Sequence, residues 1–265
     1  MAQTAPSSSL ELWGRRLLAA ILLGGQVVIH LISRPIHRRN TVEQMSAVGP
    51  ESLLIALVTA AFVGMVFTIQ VAREFISFGA GTAIGGVLAL TLARELAPVL
   101  TAVVIAGRVG SAFAAEIGTM EVTEQIDALQ MLETDPIDYL VIPRVLACAL
   151  MLPLLSILSF ITGMSGGLIV ASSLYNISSS VFLNSAQEFL TTWDLASSLV
   201  KAFVFGALIA VIGCNWGLTT TGGAKGVGKS TTTAVVTSLL AIFITNFFLS
   251  WVMFQGTGSA VLGNF

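Results

Sequence analysis

The sequence predicts an all-α integral membrane protein with about five transmembrane helices, an N-terminal interfacial helix and a short helix on the cytoplasmic side. Three observations carry that expectation. Of 265 residues, 55% are hydrophobic and only 10% are charged, whereas a soluble domain carries roughly 25% charged residues. The mean hydropathy is +0.92. Several uncharged stretches also reach the roughly 20 residues that a helix needs to cross about 30 Å of hydrocarbon. Twelve basic and fourteen acidic side chains are too few to solvate a protein of this size, which argues against soluble enzymes and disordered tails. A net charge of −2 offers no basic footprint for nucleic acid. Cys148 and Cys214 both lie in apolar runs and read as small core residues, since a disulfide framework or metal site needs more ligands at closer spacing. No cofactor is expected.

The elements follow in order. Leu17–Ser33 is apolar, begins after Arg15-Arg16 and is followed by Arg34-Pro35-Ile36-His37-Arg38-Arg39. No small-residue cleavage site follows it, so an uncleaved helix lying in the interface, with its basic residues toward lipid headgroups, is preferred over a sixth span. Residues 1–44 are thus an N-terminal tail and interfacial helix, and residues 45–265 form the membrane domain. Its spans are expected at about 52–72, 83–115, 141–171, 198–219 and 232–254. A glycine-rich turn, Phe78-Gly79-Ala80-Gly81, separates the first two, and the Ser/Asn-rich stretch after about Ala171 reads as a loop or interfacial segment. Lys and Arg set the orientation. With the N-terminus inside, nine of these residues fall at or near the cytoplasmic side, Arg94 lies within a span, and Arg73 and Lys201 fall outside.

The second span carries Arg94-Glu95 in Leu92-Ala93-Arg94-Glu95-Leu96-Ala97-Pro98. Charge at such depth costs on the order of 3 kcal/mol when unpaired. The pair is either a buried ion pair locking the bundle or a polar patch in a cavity that meets a lipid headgroup or water. Pro98 can free a backbone carbonyl here. Arg108, nearly on the same face, can snorkel or meet an anionic headgroup. Ala106, Gly110, Ala114 and Gly118 recur at four-residue spacing, as suits close helix approach in lipid, either within the chain or between subunits. Gly163-Met164-Ser165-Gly166-Gly167 repeats the idea.

Residues 116–138 hold Glu116, Glu121, Glu124, Asp127, Glu133, Asp135 and Asp138, seven of the fourteen acids. Val122, Ile126 and Leu129 recur at helical spacing, and the helix is expected to run from about 119 to 133, stopping ahead of Asp135-Pro136. It is either a solvated loop helix or a docking element whose apolar face enters a groove of a soluble partner while its acids meet basic residues there.

One string is refused. Gly223-Ala224-Lys225-Gly226-Val227-Gly228-Lys229-Ser230 matches the Walker A letters, but a phosphate cradle needs a strand before it and a helix after it. Here a membrane span precedes it, and no Asp or Glu follows Leu195 to hold magnesium. Gly223, Gly228, Lys229 and Ser230 are therefore read as a short flexible basic turn that binds no nucleotide. His30 and His37 are the only histidines, both near the N-terminal basic cluster. No metal set and no nucleophile–base pair stands out, so an intramembrane enzyme is disfavoured. An ion-coupled secondary transporter using Arg94 and Glu95 would show inverted repeats, and no convincing repeat is visible.

Taken together, Leu92–Thr101, Ala106–Ser111, Ala115–Leu129 and the loop Gly222–Gly228 resemble the MlaE family, permease subunits of ABC systems that work with MCE proteins to move lipid between membranes. The likeness covers roughly residues 45–255. Many members carry Arg-Ala-Thr-Thr where this chain has Lys229-Ser230-Thr231-Thr232, so the Walker-like letters look accidental. The resemblance implies a homodimeric permease with 119–133 as a coupling helix on a cytoplasmic ATPase subunit, with contacts from Glu116, Glu121, Val122, Glu124, Ile126, Asp127 and Leu129. It implies an MCE-domain protein on the outer face, and a lipid path near Arg94, Glu95 and Arg108. No plastid transit region is seen, which suggests a bacterial or cyanobacterial plasma membrane over a chloroplast one.

Overall fold

A computed structural model describes residues 9–33 and 38–255. Arg34 and His37 of the basic cluster lie outside the described residues, which contain helices and turns and no strand. Among the described residues nine helical elements follow in order: α1 (Ser9–Ser33), α2 (Arg38–Val48), α3 (Pro50–Ser77), α4 (Gly81–Val122), α5 (Gln125–Met131), α6 (Ile137–Tyr175), α7 (Ser179–Phe189), α8 (Thr192–Leu218) and α9 (Gly223–Phe254). Five are long and apolar enough to cross a membrane: α3 together with α2, then α4, α6, α8 and α9. The helix near the N-terminus has only a short apolar stretch, Leu18–Leu31. The spanning helices are longer than the apolar windows in the sequence because their polar ends continue the same hydrogen-bond ladder.

The turns have local causes. α3 ends at Gly79, whose φ of +73° lets its N–H reach Ile76 O while Ala80 N–H reaches Phe75 O, a Schellman closure that suits glycine. For the segment after Ala171 the sequence leaves a loop or an interfacial segment open. That segment contains α7, because Phe182, Ser185 and Ala186 fall on one face and are buried. Phe182 packs with Leu88, Leu92, Ile84, Ala72 and Ala171, and its backbone lies against Gly85, where a Cβ would clash.

The chain groups into two compact units. One is drawn from Met1–Met45, Ala106–Cys148 and Ala207–Leu239, the other from Ser46–Ile105, Ala149–Gly206 and Leu240–Phe265. In the second unit, α3 buries Ser52, Ala56, Ala60, Gly64, Thr68 and Ala72, one residue per turn and all small. Gly163, Gly166 and Gly167 of α6 meet that stripe: a Cβ on Gly64 would strike the carbonyl of Gly163, and one on Gly166 would sit 2.5 Å from Ala61 O. In the first unit, the stripe of Ala106, Gly110, Ala114 and Gly118 is buried, and its glycines lie against α8. A Cβ on Gly213 would lie 2.9 Å from Gly110 O, and one on Gly217 would lie 2.7 Å from Ile117 Cβ. Both small-residue runs thus serve packing within the chain, where backbones approach closely enough for dispersion to hold helices together in lipid.

This packing makes a prediction. Gly64→Val should destabilise the protein by about 1–3 kcal/mol through overpacking, read as a lowered thermal midpoint in detergent. Gly107→Ala has open space at the new Cβ and should be neutral or mildly stabilising. Equal midpoints for the two variants would contradict the close approach of α3 and α6.

Candidate functional site: an intramembrane charge cluster and an acidic connecting segment

The charged pair of α4 is built around proline. Pro98 has no N–H, so the carbonyl four residues earlier, Arg94 O, loses its α-helical donor. Residues Leu92–Leu96 take up the mismatch as a π-helical turn, a distortion frequent at functional sites. Lys201 of α8 fills the gap: its Nζ donates to Arg94 O at 2.8 Å, to Glu95 Oε1 at 2.8 Å and to Ser250 Oγ at 2.7 Å. Ser250 in turn donates to Glu95 Oε1 at 2.8 Å, and Asn246 Nδ2 donates to Glu95 Oε2 at 2.7 Å. Lys201 is fully buried and its three ammonium protons have three acceptors, the condition under which a buried cation is tolerated.

Arg94 turns the other way. Its Nε donates to Asp194 Oδ1 at 2.6 Å, and its guanidinium stacks 4.5 Å from the Phe254 ring centre. Asp194 is held by a reciprocal cap at the start of α8. Thr191 N and Oγ1 donate to Asp194 Oδ2 at 2.9 and 2.7 Å, and Asp194 N donates back to Thr191 Oγ1, the logic of a capping box. The cluster therefore holds two cations and two anions and is neutral. It is not sealed: the side chains of Arg94 and Glu95 remain 34% and 39% exposed.

Arg94 and Glu95 are thus brought together, each with a partner on α8. Arg108 lies in a second π-helical turn, Ala106–Gly110, and is half-buried. The sequence reading did not single out Asp194 and set Lys201 toward the outer side without a partner named; Lys201 is buried within α8 and ion-paired with Glu95. Two signals were present. Thr191-Thr192-Trp193-Asp194 has capping-box spacing, and Asp194 and Lys201 are two turns apart on one helical face.

The acidic connection also differs from the expected single helix over 119–133. α4 ends at Val122, Glu124 takes a left-handed φ of 59°, and α5 starts at Gln125. The Thr123 hydroxyl bonds back to Thr119 O at 2.8 Å, competing with helix continuation. α5 closes through Glu133 at φ 57°, with Glu133 N–H to Gln130 O and Thr134 N–H to Leu129 O. Ile126 is buried at 4% exposure while Met131 and Leu132 stand out at 87% and 74%. The apolar face marked by Val122, Ile126 and Leu129 therefore turns toward this chain, and the outward apolar tip is Met131-Leu132. Glu124, Asp127 and Glu133 are exposed beside it, with Glu121 half-buried. Glu116 lies within α4, where Arg144 NH2 donates to its Oε2 at 2.8 Å. Arg144 also stacks on Phe113.

The Walker-like string corrects the expected flexible turn. Gly222 and Gly223 have φ of +88° and +66°, and from Gly223 the residues are helical. Gly228, Lys229 and Ser230 lie in the early turns of α9, and the Ser230 hydroxyl pairs with Thr220 Oγ1 at 2.9 Å. A phosphate cradle needs a loop between strand and helix, whereas here helix α8 precedes the turn.

These features define a multi-pass membrane protein whose intramembrane charges compensate one another within the chain. The family model for the permease MlaE matches residues 41–252, and the chain belongs to that family. A probable ABC transporter permease of Synechocystis sp. is 70% identical over 263 residues, covering 99% of this chain and all of the relative. Protein TRIGALACTOSYLDIACYLGLYCEROL 1, chloroplastic, of Arabidopsis thaliana is 51% identical over 96% of this chain and 72% of its own length. A probable ABC transporter permease of Pyropia yezoensis is 52% identical over 95% of this chain and 96% of its own. The chain is accordingly an ABC transporter permease, with ATP hydrolysis on a partner subunit. The ion-coupled alternative gives way to that assignment.

A double-mutant cycle tests the cluster. Lys201→Met should destabilise the chain by about 1–3 kcal/mol, because the half-buried Glu95 carboxylate loses its cation and Arg94 O loses its donor. Adding Glu95→Gln should recover most of that loss, read by thermal unfolding in detergent. Additive losses would show that Lys201 and Glu95 are not coupled.

Proposed function

We propose that this chain is the membrane subunit of a transporter that moves phospholipid or a related amphiphile between membranes, driven by a separate cytoplasmic ATPase. The observation that carries the reading is the partly open charge cluster of Arg94, Glu95, Asp194 and Lys201. Intramembrane charge marks substrate paths more often than it serves stability, and a neutral cluster suits a zwitterionic or hydrogen-bonding headgroup. The reading also assigns Arg108, in the other unit, to lipid contact. An apolar groove of about 330 Å³ in the second unit, lined by residues including Phe160, Met164, Leu168, Leu183 and Leu190, has the character needed for an acyl chain. The glycerolipid in the name of the Arabidopsis relative agrees with a lipid cargo.

On this reading the N-terminus is cytoplasmic, the basic residues Arg15, Arg16, Arg38, Arg39, Lys225 and Lys229 lie inside, and α7 lies outside. The permease domain starts near residue 45, and the helix before it lies in the interface. The membrane is the plasma membrane of a bacterium, in keeping with the cyanobacterial relative. Two copies assemble, an MCE-domain protein receives or delivers lipid on the outer face, and the ATPase subunit grips the bend at 121–133. The grip uses Met131 and Leu132 as the apolar contact, with Glu121, Glu124 and Asp127 as charged contacts. Val122, Ile126 and Leu129 support the bend from within, and Glu116 anchors its approach through Arg144.

The test is charge reversal at the bend. Glu121→Lys, Glu124→Lys and Asp127→Lys together should weaken capture of the co-expressed ATPase subunit by at least about 100-fold, since like charges facing each other at an interface cost several kcal/mol. ATP-driven lipid transfer between vesicles should fall with it, at an unchanged melting temperature. Retained capture and transfer would contradict the docking.

A further inference from the structure

We propose that His30, Asp135 and Asp138 form a binding site for a divalent transition-metal ion of the zinc type. Sequence spacing does not reveal it, because the histidine belongs to α1 and both carboxylates to the stretch that opens α6. Folding brings them together within the first unit. His30 Nδ1 lies 2.6 Å from Asp138 Oδ1 and 3.9 Å from Asp135 Oδ2. One ligand atom from each residue falls within 4.8 Å of the other two.

Three features make this more than a surface contact. First, the donor set is mixed. One imidazole nitrogen with two carboxylate oxygens suits zinc and its first-row neighbours, and differs from the all-oxygen sets that hold calcium or magnesium. Second, the separations fit. An ion about 2.0–2.2 Å from each ligand holds tetrahedral ligand atoms roughly 3.4 Å apart. The two observed distances from Nδ1 fall on either side of that value, so small side-chain rotations suffice. Third, one of the carboxylates is set by backbone. Asp135 Oδ1 accepts the N–H of Ile137 at 3.0 Å, the kind of outer hydrogen bond that orients a ligating carboxylate, and this directs Oδ2 at the imidazole. Asp138 lies in the π-helical turn Ile137–Val141, and Asp135 lies two residues before that turn. All three side chains are partly buried, with exposures of 20%, 30% and 14%, and a tetrahedral ion would keep one position for water.

The ion would staple α1 to the segment that carries the acidic connection back into α6. The other end of α1 is already fixed in the same unit: Arg16 donates to Thr219 O at 3.2 Å, stacks 4.6 Å over Trp216 and accepts from Asn215 through its own carbonyl.

The experiment uses the full chain in detergent, purified without a histidine tag and stripped of metal. Zinc chloride is titrated calorimetrically, and hydrogen exchange is followed across residues 123–145. One zinc per chain should bind, with exchange slowed at Ile137–Val141. His30→Gln should weaken binding at least about 100-fold, because even loss of an outer-shell partner costs about 10–100-fold. Asp138→Asn keeps a hydrogen-bonding side chain and should produce the same loss with an unchanged melting temperature. Absence of binding, or equal zinc binding by the wild type and both variants, would overturn the site. Neither result bears on the docking of the ATPase, which depends on other side chains.

Discussion

The buried ammonium of Lys201 is the constraint on which the polar interior of the second unit depends. A charge in that position is stable only with every proton accepted. Two of the three acceptors exist because of neighbouring sequence choices: Arg94 O is released by Pro98, and Glu95 Oε1 follows directly after Arg94 on the widened π-helical turn. The third, Ser250, also donates to the same carboxylate oxygen. Three helices are thereby tied through one atom. The helix irregularity, the proline and the four charges form a single construction, and removal of any charge leaves its opposite without its ionic partner.

That construction explains how a permease can keep charge at bilayer depth without losing a defined fold. Neutrality within the cluster lowers the cost of burial, and the capping box at Thr191 and Asp194 ties Arg94 to the start of α8. The remaining exposure of Arg94 and Glu95 leaves polar surface for a ligand headgroup. Around the cluster, close packing comes from small residues: the stripe along α3 meets the glycines of α6, so the helices are held by backbone proximity and leave their larger side chains, such as Phe62 and Leu54, facing outward.

The fold class was readable because the hydrophobic effect writes long uncharged runs directly into sequence, and the Arg94-Glu95-Pro98 grouping stood out as charge and proline inside one of them. The partners were harder to read. Lys201 looked like a boundary residue because a single lysine after Asp194 also fits the start of a span, and only the fold shows both carboxylates turning inward. The bend at Glu124 was invisible because a non-glycine residue with positive φ carries no compositional mark. The same applies to the outward turn of Met131 and Leu132, since helical periodicity identifies a face but not which way it points. α7 could not be told from a loop by composition because its polar residues outnumber its apolar ones, although Phe182, Ser185 and Ala186 anchor one face.

The central claim is that the opening beside the Arg94 and Glu95 side chains lies on the route of the transported lipid. A photoactivatable phospholipid, reconstituted with the complete transporter and mapped by peptide mass spectrometry, tests this directly. The account predicts labelling concentrated at Leu92–Thr101 and Asn246–Phe254, and reduced when ATP drives turnover. Labelling confined to α1 and the outward faces of α3, with none at those two segments, would contradict it.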